Sequence, residues 1–167
     1  MTYLGVCVQK QEIHALFVQQ LTHELETITA AAKATISTAT DEAHHAEGKY
    51  DTFSLETSYL ARGQARRVEE LRNTLERLGQ MPVKVLGAQD PIQLSALVRL
   101  QSASGEKRTL YFGAAGGGES LQVNGEDILI VTSQSPLGRA MLGKIKGESF
   151  ALHLAGKTQK FTVLSVD

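Results

Sequence analysis

Four carboxylates near the middle of the chain are the residues whose types and spacing could do chemistry. They lie within the stretch DEAHHAEGKYD, at Asp41, Glu42, Glu47 and Asp51. An acidic helix end can be merely solvated, but four acids at one bend also suit a functional tip. The adjacent His44 and His45 suggest a transition metal. Neighbouring histidines on a helix point in different directions, however, so no tightly held metal is predicted.

Two long helical segments must position this acidic stretch. From residue 9 to residue 47 the chain has no Gly or Pro, and after Gly48 only Gly63 interrupts the next run. We expect one helix over about residues 11–43 and a second over about residues 51–78. Two helices of this length with one short break between them fold back on each other as a hairpin.

Apolar residues in both segments repeat with coiled-coil spacing. The two seams consist of Leu21, Leu25, Ile28 and Ala32 in the first segment and Val68, Leu71, Leu75 and Leu78 in the second. Pairing Ile13 with Leu78 places the bend near His45, inside the acidic stretch. About 30 residues at about 1.5 Å each then give an arm roughly 45 Å long.

The half of this arm nearest the bend is predicted to be slender. After Ile28 the first seam continues mainly with Ala, and small residues bury little apolar area per turn. A slender arm suits a tip that reaches into a narrow space, although an ordinary surface hairpin is an alternative. The second helix also carries several arginines. They either pair with Glu69, Glu70 and Glu76 on a solvated face or bind an acidic or phosphate-rich partner.

After the break at residues 79–82 the periodicity changes from helical to alternating. This change predicts a helical domain over residues 1–79 and a second domain over residues 80–167. Strands are expected at 83–85, 92–100, 109–112, 121–123, 127–132, 150–154 and 161–165. Asn124-Gly125 is a strong hairpin-turn signal between two of them.

The stretch SPLGRAMLGK predicts one short helix within the second domain. Ser135 is a suitable N-cap, Pro136 occupies the first helical position, and Gly143 ends the helix. Three apolar side chains are expected to hold this helix against the sheet, namely Leu137, Met141 and Leu142. Several antiparallel strands with one short helix give a small α+β domain.

Composition and charge exclude several classes of protein. A net charge of −1 gives no support for general nucleic-acid binding, which normally needs a basic domain, and sequence-specific DNA binding is not expected. A single cysteine excludes an internal disulfide. No signal peptide is recognisable and no apolar run approaches the roughly 20 residues of a membrane span, so a cytoplasmic location without membrane contact is expected. No Ser-His-Asp arrangement is visible, and an autonomous enzyme is not expected.

The C-terminal motif resembles that of the bacterial GreA/GreB transcript-cleavage factors. SPLGRAMLGK followed by KGE and two final strands carries the resemblance, and RRVEELRNTLERL resembles the returning helix of the family's coiled coil. The resemblance implies an α+β chain with an N-terminal antiparallel coiled-coil hairpin and an FKBP-like antiparallel sheet domain. It also implies a partner-binding surface at Ser135, Pro136, Leu137, Gly138 and Arg139.

The same resemblance implies a function at RNA polymerase. In that family the coiled coil enters the secondary channel, and acids at its tip help to hold a catalytic Mg²⁺ while the polymerase cleaves a backtracked transcript. Carboxylate oxygens are ligands that Mg²⁺ prefers. The resemblance therefore implies RNA polymerase as the partner, indirect action on nascent RNA, Mg²⁺ shared with the polymerase and no cofactor of the chain's own. The candidate acids are Asp41, Glu42, Glu47 and Asp51.

The tip departs from the family pattern, and this leaves other functions open. The usual tip has an Asp followed three residues later by a Glu, whereas counting back from the returning helix puts Glu47 and Tyr50 at those positions. A factor without that pair could occupy the channel and regulate or inhibit the polymerase without cleavage. An FKBP-like fold could instead indicate a peptidyl-prolyl isomerase or chaperone, and the arm could bind some other helical partner.

Overall fold

The structure is a computed structural model that describes residues 3–43, 51–154 and 156–167. Side chains are described for residues 10–34, 37, 59–153 and 156–167. The elements follow one another as α1 (Tyr3–Ala43), α2 (Asp51–Gly79), β1 (Leu97–Ser102), β2 (Lys107–Phe112), β3 (Ser120–Val123), β4 (Glu126–Val131), α3 (Pro136–Met141), β5 (Ser149–Leu154) and β6 (Lys157–Val166). Two long helices followed by a sheet with one short helix confirm the predicted α+β class.

The chain divides into two compact units. One unit, called here the sheet unit, contains Met1–Val18 and Arg77–Asp167, and the other, the hairpin unit, contains Gln19–Glu76. The first turns of α1 and the last turn of α2 therefore belong with the sheet. The predicted domains over 1–79 and 80–167 concern which parts fold separately, and they stay a prediction.

Burial in the hairpin unit decreases along α1. Leu21 is fully buried, whereas Leu25 and Ile28 are half-buried. The facing seam of α2 is buried at Val68 and Leu71. Burial of the apolar seam therefore decreases between Leu21 and Ile28, whereas the slender half predicted beyond Ile28 stays a prediction.

An ion pair confirms the predicted register of the hairpin. Arg67 donates from Nε and Nη2 to Oε1 of Glu24, at 3.1 and 2.7 Å. Glu24 and Arg67 each lie eleven positions from the predicted partners Ile13 and Leu78, so the contact has the expected offset. Because the two helices are antiparallel, this register sets which residues face each other along the whole hairpin.

The helices differ from the sequence prediction in two details. α1 begins at Tyr3, eight residues before the predicted start. Leu55, Tyr59, Leu60 and Gln64 were expected to lead into the α2 seam; Gln64 is half-buried, as is Ala61, but Tyr59 and Leu60 are exposed. The reason is spacing, since Ala61 and Gln64 continue the alternating steps of three and four through Val68 and Leu71.

The six strands form one sheet in the order β3-β4-β2-β1-β6-β5. All neighbouring pairs are antiparallel except β2 and β4, which run parallel from Thr109↔Ile128 to Phe112↔Val131. The prediction of an antiparallel sheet is therefore wrong, and the sheet is mixed. After β2 the chain reverses into β3 and then reverses again at Asn124-Gly125, so β4 runs in the direction of β2. The FKBP-like description stays a prediction.

One face of the sheet carries the main apolar core. α3 packs there through Met141, which is fully buried. The buried side chains of this core are Leu86, Ile92, Ala96, Val98, Leu100, Leu110, Phe112, Val131, Met141, Phe150, Leu152, Phe161, Val163 and Val166. On β2 the alternate position, Tyr111, stacks on Phe17 of α1 with ring centroids 6.0 Å apart. The two faces of β2 are thus both buried inside the sheet unit.

The segment before β1 corrects two predicted strands. Residues 83–85 and 92–96 form no strand, and β1 begins only at Leu97. Ser95 interrupts the alternation because its φ of 68° lies in the left-handed region. Its hydroxyl accepts the N–H of Lys84 at 2.9 Å, which ties the two short segments together outside the sheet. Leu94, predicted to face the core, is 42% exposed.

Candidate functional site

Three of the predicted tip acids lie at described helix ends. Asp41 and Glu42 lie in the last turn of α1, and Asp51 is the first residue of α2. That these two ends lie next to each other follows only by extending the antiparallel register from the Glu24–Arg67 contact, and it stays a prediction. Glu47 and the predicted bend near His45 lie outside the described residues, as do the side chains of the other three acids. Their roles therefore stay predictions.

The presence of Asp41 and Glu42 at the end of α1 is not explained by a gain in helix stability. The C-terminal end of a helix carries partial negative charge, so an acid there is destabilising by about 0.3–1 kcal/mol. The last turn of α1 contains no basic residue that could offset it. Asp51 differs, because an acid at the first position of a helix is stabilising. The general rule thus gives a structural reason for an acid at the start of a helix and none for an acid at its end, and the functional roles of all three acids stay predictions.

Along the described part of the hairpin the charged residues form local pairs. Arg66 and Glu70 on α2 form an ion pair of 2.9 Å between exposed side chains. This pair supports a solvated charged face for that part of α2. Among the described residues, no three His, Cys, Asp or Glu side chains are placed to hold a metal ion. None of the helices, within their described residues, is long and apolar enough to cross a membrane.

The motif around α3 has a structural explanation at two of its five predicted site residues. Ser135 is the N-cap of α3, and its Oγ accepts the N–H of Gly138 at 2.9 Å while donating to the carbonyl of Thr132 at 3.0 Å. Gly138 is buried, and a Cβ placed there would lie 1.9 Å from that same carbonyl oxygen. These two residues fix the loop before α3 against its first turn.

The other three predicted site residues differ in exposure. Leu137 is half-buried and packs on the main core, whereas Pro136 and Arg139 are exposed. Pro136 and Arg139 are therefore the members of the motif whose side chains lie at the surface. Partner binding by the five residues stays a prediction.

Sequence reasoning missed an exposed apolar surface next to α3. Val85, Leu94 and Leu142 are 64%, 42% and 47% exposed. Backbone hydrogen bonds between Ile92 and residues 143–144 place the segments that carry Leu94 and Leu142 side by side. The alternating pattern over 92–100 predicted that Leu94 faces the core. Helical spacing predicted that Leu142 holds α3 against the sheet. Neither pattern therefore indicated that these side chains are exposed. We call Val85, Leu94 and Leu142 the apolar surface.

A buried polar contact inside the sheet unit was also missed. Nδ1 of His14 lies 3.0 Å from the Tyr111 hydroxyl, and the two ring centroids are 6.0 Å apart. Burial lowers the pKa of His14 below its ordinary value and raises the pKa of Tyr111. Both groups are therefore neutral near pH 7, and the tyrosine can donate to the imidazole.

The aromatic side chains of the sheet belong to its core. Tyr111, Phe112, Phe150 and Phe161 are all buried, and the last two stack with centroids 5.7 Å apart. An isomerase of the FKBP type would need aromatic side chains that line an open pocket. The burial of these four side chains agrees with a role in the core, and the isomerase alternative, which rests on the resemblance to an FKBP-like fold, stays untested.

The fold is that of an α+β protein in which two long N-terminal helices precede a mixed six-stranded sheet. No protein-family model and no curated protein matches the chain. Solved structures do match, and they are Gre-related factors, the class that the sequence resembles. The structure of the transcription factor Gfh1 is 18% identical, covers 89% of this chain and 92% of its own, and has a TM-score of 0.40.

Two further matches come from named organisms. GreA factor homolog 1 of Thermus thermophilus is 18% identical over 90% of this chain and 94% of its own, with a TM-score of 0.37. A GreA/GreB elongation factor of Nitrosomonas europaea is 17% identical over 57% of this chain and 78% of its own, with a TM-score of 0.36. At this level of identity the matches report a likeness, and the function must be inferred from the chain's own residues.

Proposed function

We propose that this chain is a Gre-like transcription factor that binds RNA polymerase and inserts the α1–α2 hairpin into the secondary channel. One observation carries the proposal: the Glu24–Arg67 contact has the offset expected for an antiparallel hairpin, and in such a hairpin the acids at the end of α1 would lie near the start of α2. Residues 19–43 alone give about 37 Å of helix at about 1.5 Å per residue. A hairpin of that length and small cross-section suits a narrow channel.

At the far end of the hairpin the carboxylates would supply oxygen ligands to Mg²⁺ at the polymerase active site. Mg²⁺ keeps several waters and needs only one or two carboxylates from a protein. A second metal ion held in this way can activate water and stabilise the leaving oxygen during transcript cleavage. In this proposal the polymerase performs the reaction on the nascent RNA in the cytoplasm, and the factor only lends Asp41, Glu42, Glu47 or Asp51.

The sheet unit would hold the factor on the polymerase. Leu142 of the apolar surface follows Arg139, which is exposed like Pro136, by three residues along the chain. An exposed apolar group bordered by an arginine has the composition of a protein-binding surface. Docking there would leave the hairpin as the part that enters the channel.

A second candidate function is channel occupancy without cleavage. It is favoured by the tip sequence, which has Tyr50 where the Gre pattern has its second acid. A factor of this kind would exclude other factors from the channel and regulate or inhibit the polymerase. The same assay separates the two candidates.

The test uses a stalled, backtracked elongation complex with 3′-labelled RNA, Mg²⁺ and the purified chain. Release of short 3′ fragments, lost in Asp41→Asn, Glu42→Gln, Glu47→Gln or Asp51→Asn, would establish stimulated cleavage and identify the acids. The matched control is Glu69→Gln, which neutralises an exposed acid elsewhere on α2 and should retain full activity.

Binding is measured separately from cleavage. Leu94→Ser and Leu142→Ser should weaken retention by the polymerase, whereas Gln122→Ser at a distant exposed position should not. No fragment release, together with competition against an authentic Gre factor, would assign the non-cleaving function. Neither cleavage nor competition would refute binding in the channel.

A further inference from the structure

Strand β5 is an edge of the sheet that lacks the usual protection. It is last in the strand order and pairs with β6 along its whole length without a register shift. Its sequence, SFALHL, contains no charged residue and no proline. Natural sheets normally protect an edge with lysines, proline, a bulge or a very short strand, because exposed N–H and C=O groups pair with other strands.

The opposite edge of the sheet is shorter. β3 has only four residues, from Ser120 to Val123, whereas β5 has six. A very short edge strand offers few backbone groups to another strand. The longer, uncharged β5 is therefore the edge better suited to pairing.

The hydrogen-bond pattern shows which backbone groups of β5 face outward. Val163 of β6 donates to the carbonyl of Glu148 at 2.9 Å, so residue 148 is turned toward β6. In an antiparallel pair the bonded positions alternate, and Phe150 and Leu152 are therefore turned toward β6 as well. Ser149, Ala151 and His153 consequently present their N–H and C=O groups to the free edge.

The outward residues are held in an ordered arrangement. The hydroxyls of Ser149 and Thr162 lie 2.9 Å apart, and Nδ1 of His153 lies 2.7 Å from the Thr158 hydroxyl. Both contacts fasten a β5 side chain to β6. An edge that is already ordered loses little conformational entropy when another strand is added.

From this pattern we propose that β5 pairs with β5 of a second copy of this chain, antiparallel and centred on Ala151. A two-fold axis through that residue places Ala151 opposite its own copy and Ser149 opposite His153. All three outward residues then meet as bonded pairs, so every outward N–H and C=O group finds a partner. The contact joins two sheets into one continuous sheet and closes with two-fold symmetry.

The side chains are compatible with this second copy as the occupant. Across the axis Ala151 meets only a methyl group, and Ser149 meets an imidazole, so no like charges stand opposite each other. Phe150 comes opposite Leu152 on the core side of the sheet. A strand from a different protein would also need uncharged side chains opposite Ser149, Ala151 and His153. A second copy of β5 provides them, because the two-fold axis pairs these residues with one another. The inference does not depend on binding to polymerase.

The experiment measures the mass of the full chain by sedimentation over a concentration series from micromolar to millimolar. The unmodified chain should shift from monomer to dimer, and Ala151→Lys should remain monomeric because two ammonium groups would meet at the axis. Ala151→Pro should do the same by removing an outward N–H, and it leaves the bonds to β6 intact. Gln122→Lys, with the same added charge at the β3 edge, should dimerise like the unmodified chain.

A cross-link tests the register directly. In a bonded antiparallel pair the Cα atoms are about 5.5 Å apart, which lies within the range of a disulfide. Ala151→Cys in a Cys7→Ser background should therefore form a disulfide-linked dimer on mild oxidation, and Gln122→Cys in the same background should not. Circular dichroism confirms that each variant is folded.

Three outcomes would overturn the proposal. A monomer at every concentration would exclude the dimer, and a dimer that persists in both Ala151→Lys and Ala151→Pro would place the contact elsewhere. Failure of Ala151→Cys to cross-link, while the unmodified chain dimerises, would exclude the Ala151-centred register. None of these results bears on transcript cleavage or polymerase binding, which are measured with different variants.

Discussion

Replacing Gly138 with alanine tests the structural explanation of the SPLGR motif. The added methyl group would lie 1.9 Å from the carbonyl oxygen of Thr132 and 2.7 Å from its carbonyl carbon. Both atoms belong to the backbone of the loop that Ser135 ties to α3, so no flexible side chain can move aside. Either the loop or the first turn of α3 must shift, and the 2.9 Å hydrogen bond between Ser135 and Gly138 weakens with it.

Two costs contribute to the expected loss of stability. Overpacking in a well-packed interior is destabilising by about 1–3 kcal/mol. Loss of an N-cap hydrogen bond costs about 1 kcal/mol, which sets the effect expected for Ser135→Ala alone. We therefore expect Gly138→Ala to lower the free energy of unfolding by about 2–4 kcal/mol. Urea unfolding followed by near-ultraviolet circular dichroism measures this change in the sheet unit.

The matched control is Gly63→Ala in α2. A Cβ at that position would meet nothing within 4 Å, and the residue lies within a helix. The replacement should stabilise the helix by up to about 1 kcal/mol, since alanine has the higher helix propensity. The two substitutions are chemically identical and should have opposite signs. Equal small effects at both sites would refute the close packing of Gly138, and the motif would then need a purely partner-binding explanation.

Three further predictions concern the helices. A double-mutant cycle on Glu24→Ala and Arg67→Ala should give a coupling of about 0.2–1 kcal/mol that diminishes at high salt, because both side chains are partly exposed; no coupling at low salt would contradict the contact. Burial lowers the pKa of His14, so below about pH 6.5 the unfolded chain binds a proton that the folded chain does not. The free energy of unfolding should therefore decrease as the pH falls below about 6.5. His14→Phe should abolish this part of the pH dependence, whereas the unfolding at lower pH that comes from protonation of carboxylates should remain. Phe17→Ala should cost about 3–5 kcal/mol in urea unfolding, and clearly more than Ile28→Ala at a half-buried position.

The hairpin could be predicted in detail because its signals are local and repeated. Absence of helix breakers gave its length, and steps of three and four residues gave its register, which Glu24 and Arg67 confirm. Errors occurred where the apolar pattern was ambiguous. Tyr59 and Leu60 are large and apolar, yet they lie outside the spacing that leads to Val68. Position in the repeat decided their exposure, and hydrophobicity did not.

The sheet was less predictable because its topology depends on contacts that are distant in sequence. The hairpin turn at Asn124-Gly125 was evident, but nothing local states that β4 inserts beside β2 in parallel. Alternation also extended β1 too far toward the N-terminus. The alternation ends at Ser95, whose backbone is left-handed. Hydrogen bonds to the backbone of Lys84 and of Phe112 hold Ser95 in place. These partners are distant in sequence, so local pattern analysis could not identify them.

The sequence identifies the acidic residues of the candidate site, but it does not give their arrangement in space. The sequence predicts that Asp41 and Glu42 lie near a helix end, and the structure places both in the last turn of α1. The contact between His14 and Tyr111 joins residues 97 positions apart, and neither has a local signal. Likewise, exposure of Leu142 follows from its place at the C-cap of α3, beyond the part of the helix that faces the sheet.

The two long helices differ in side-chain burial between the end that belongs to the sheet unit and the part farther along the hairpin. Near the base, Phe17 stacks on Tyr111 and a Cδ atom of Leu78 approaches Gly113, so these turns are part of the core of the sheet unit. Farther along α1 the seam becomes half-buried at Leu25 and Ile28. Mutations at the base should therefore disturb the sheet, whereas mutations toward the acids should leave it folded. That separation is what a factor needs if its tip is to work inside a polymerase, since changes to the tip can then alter function without unfolding the part that docks.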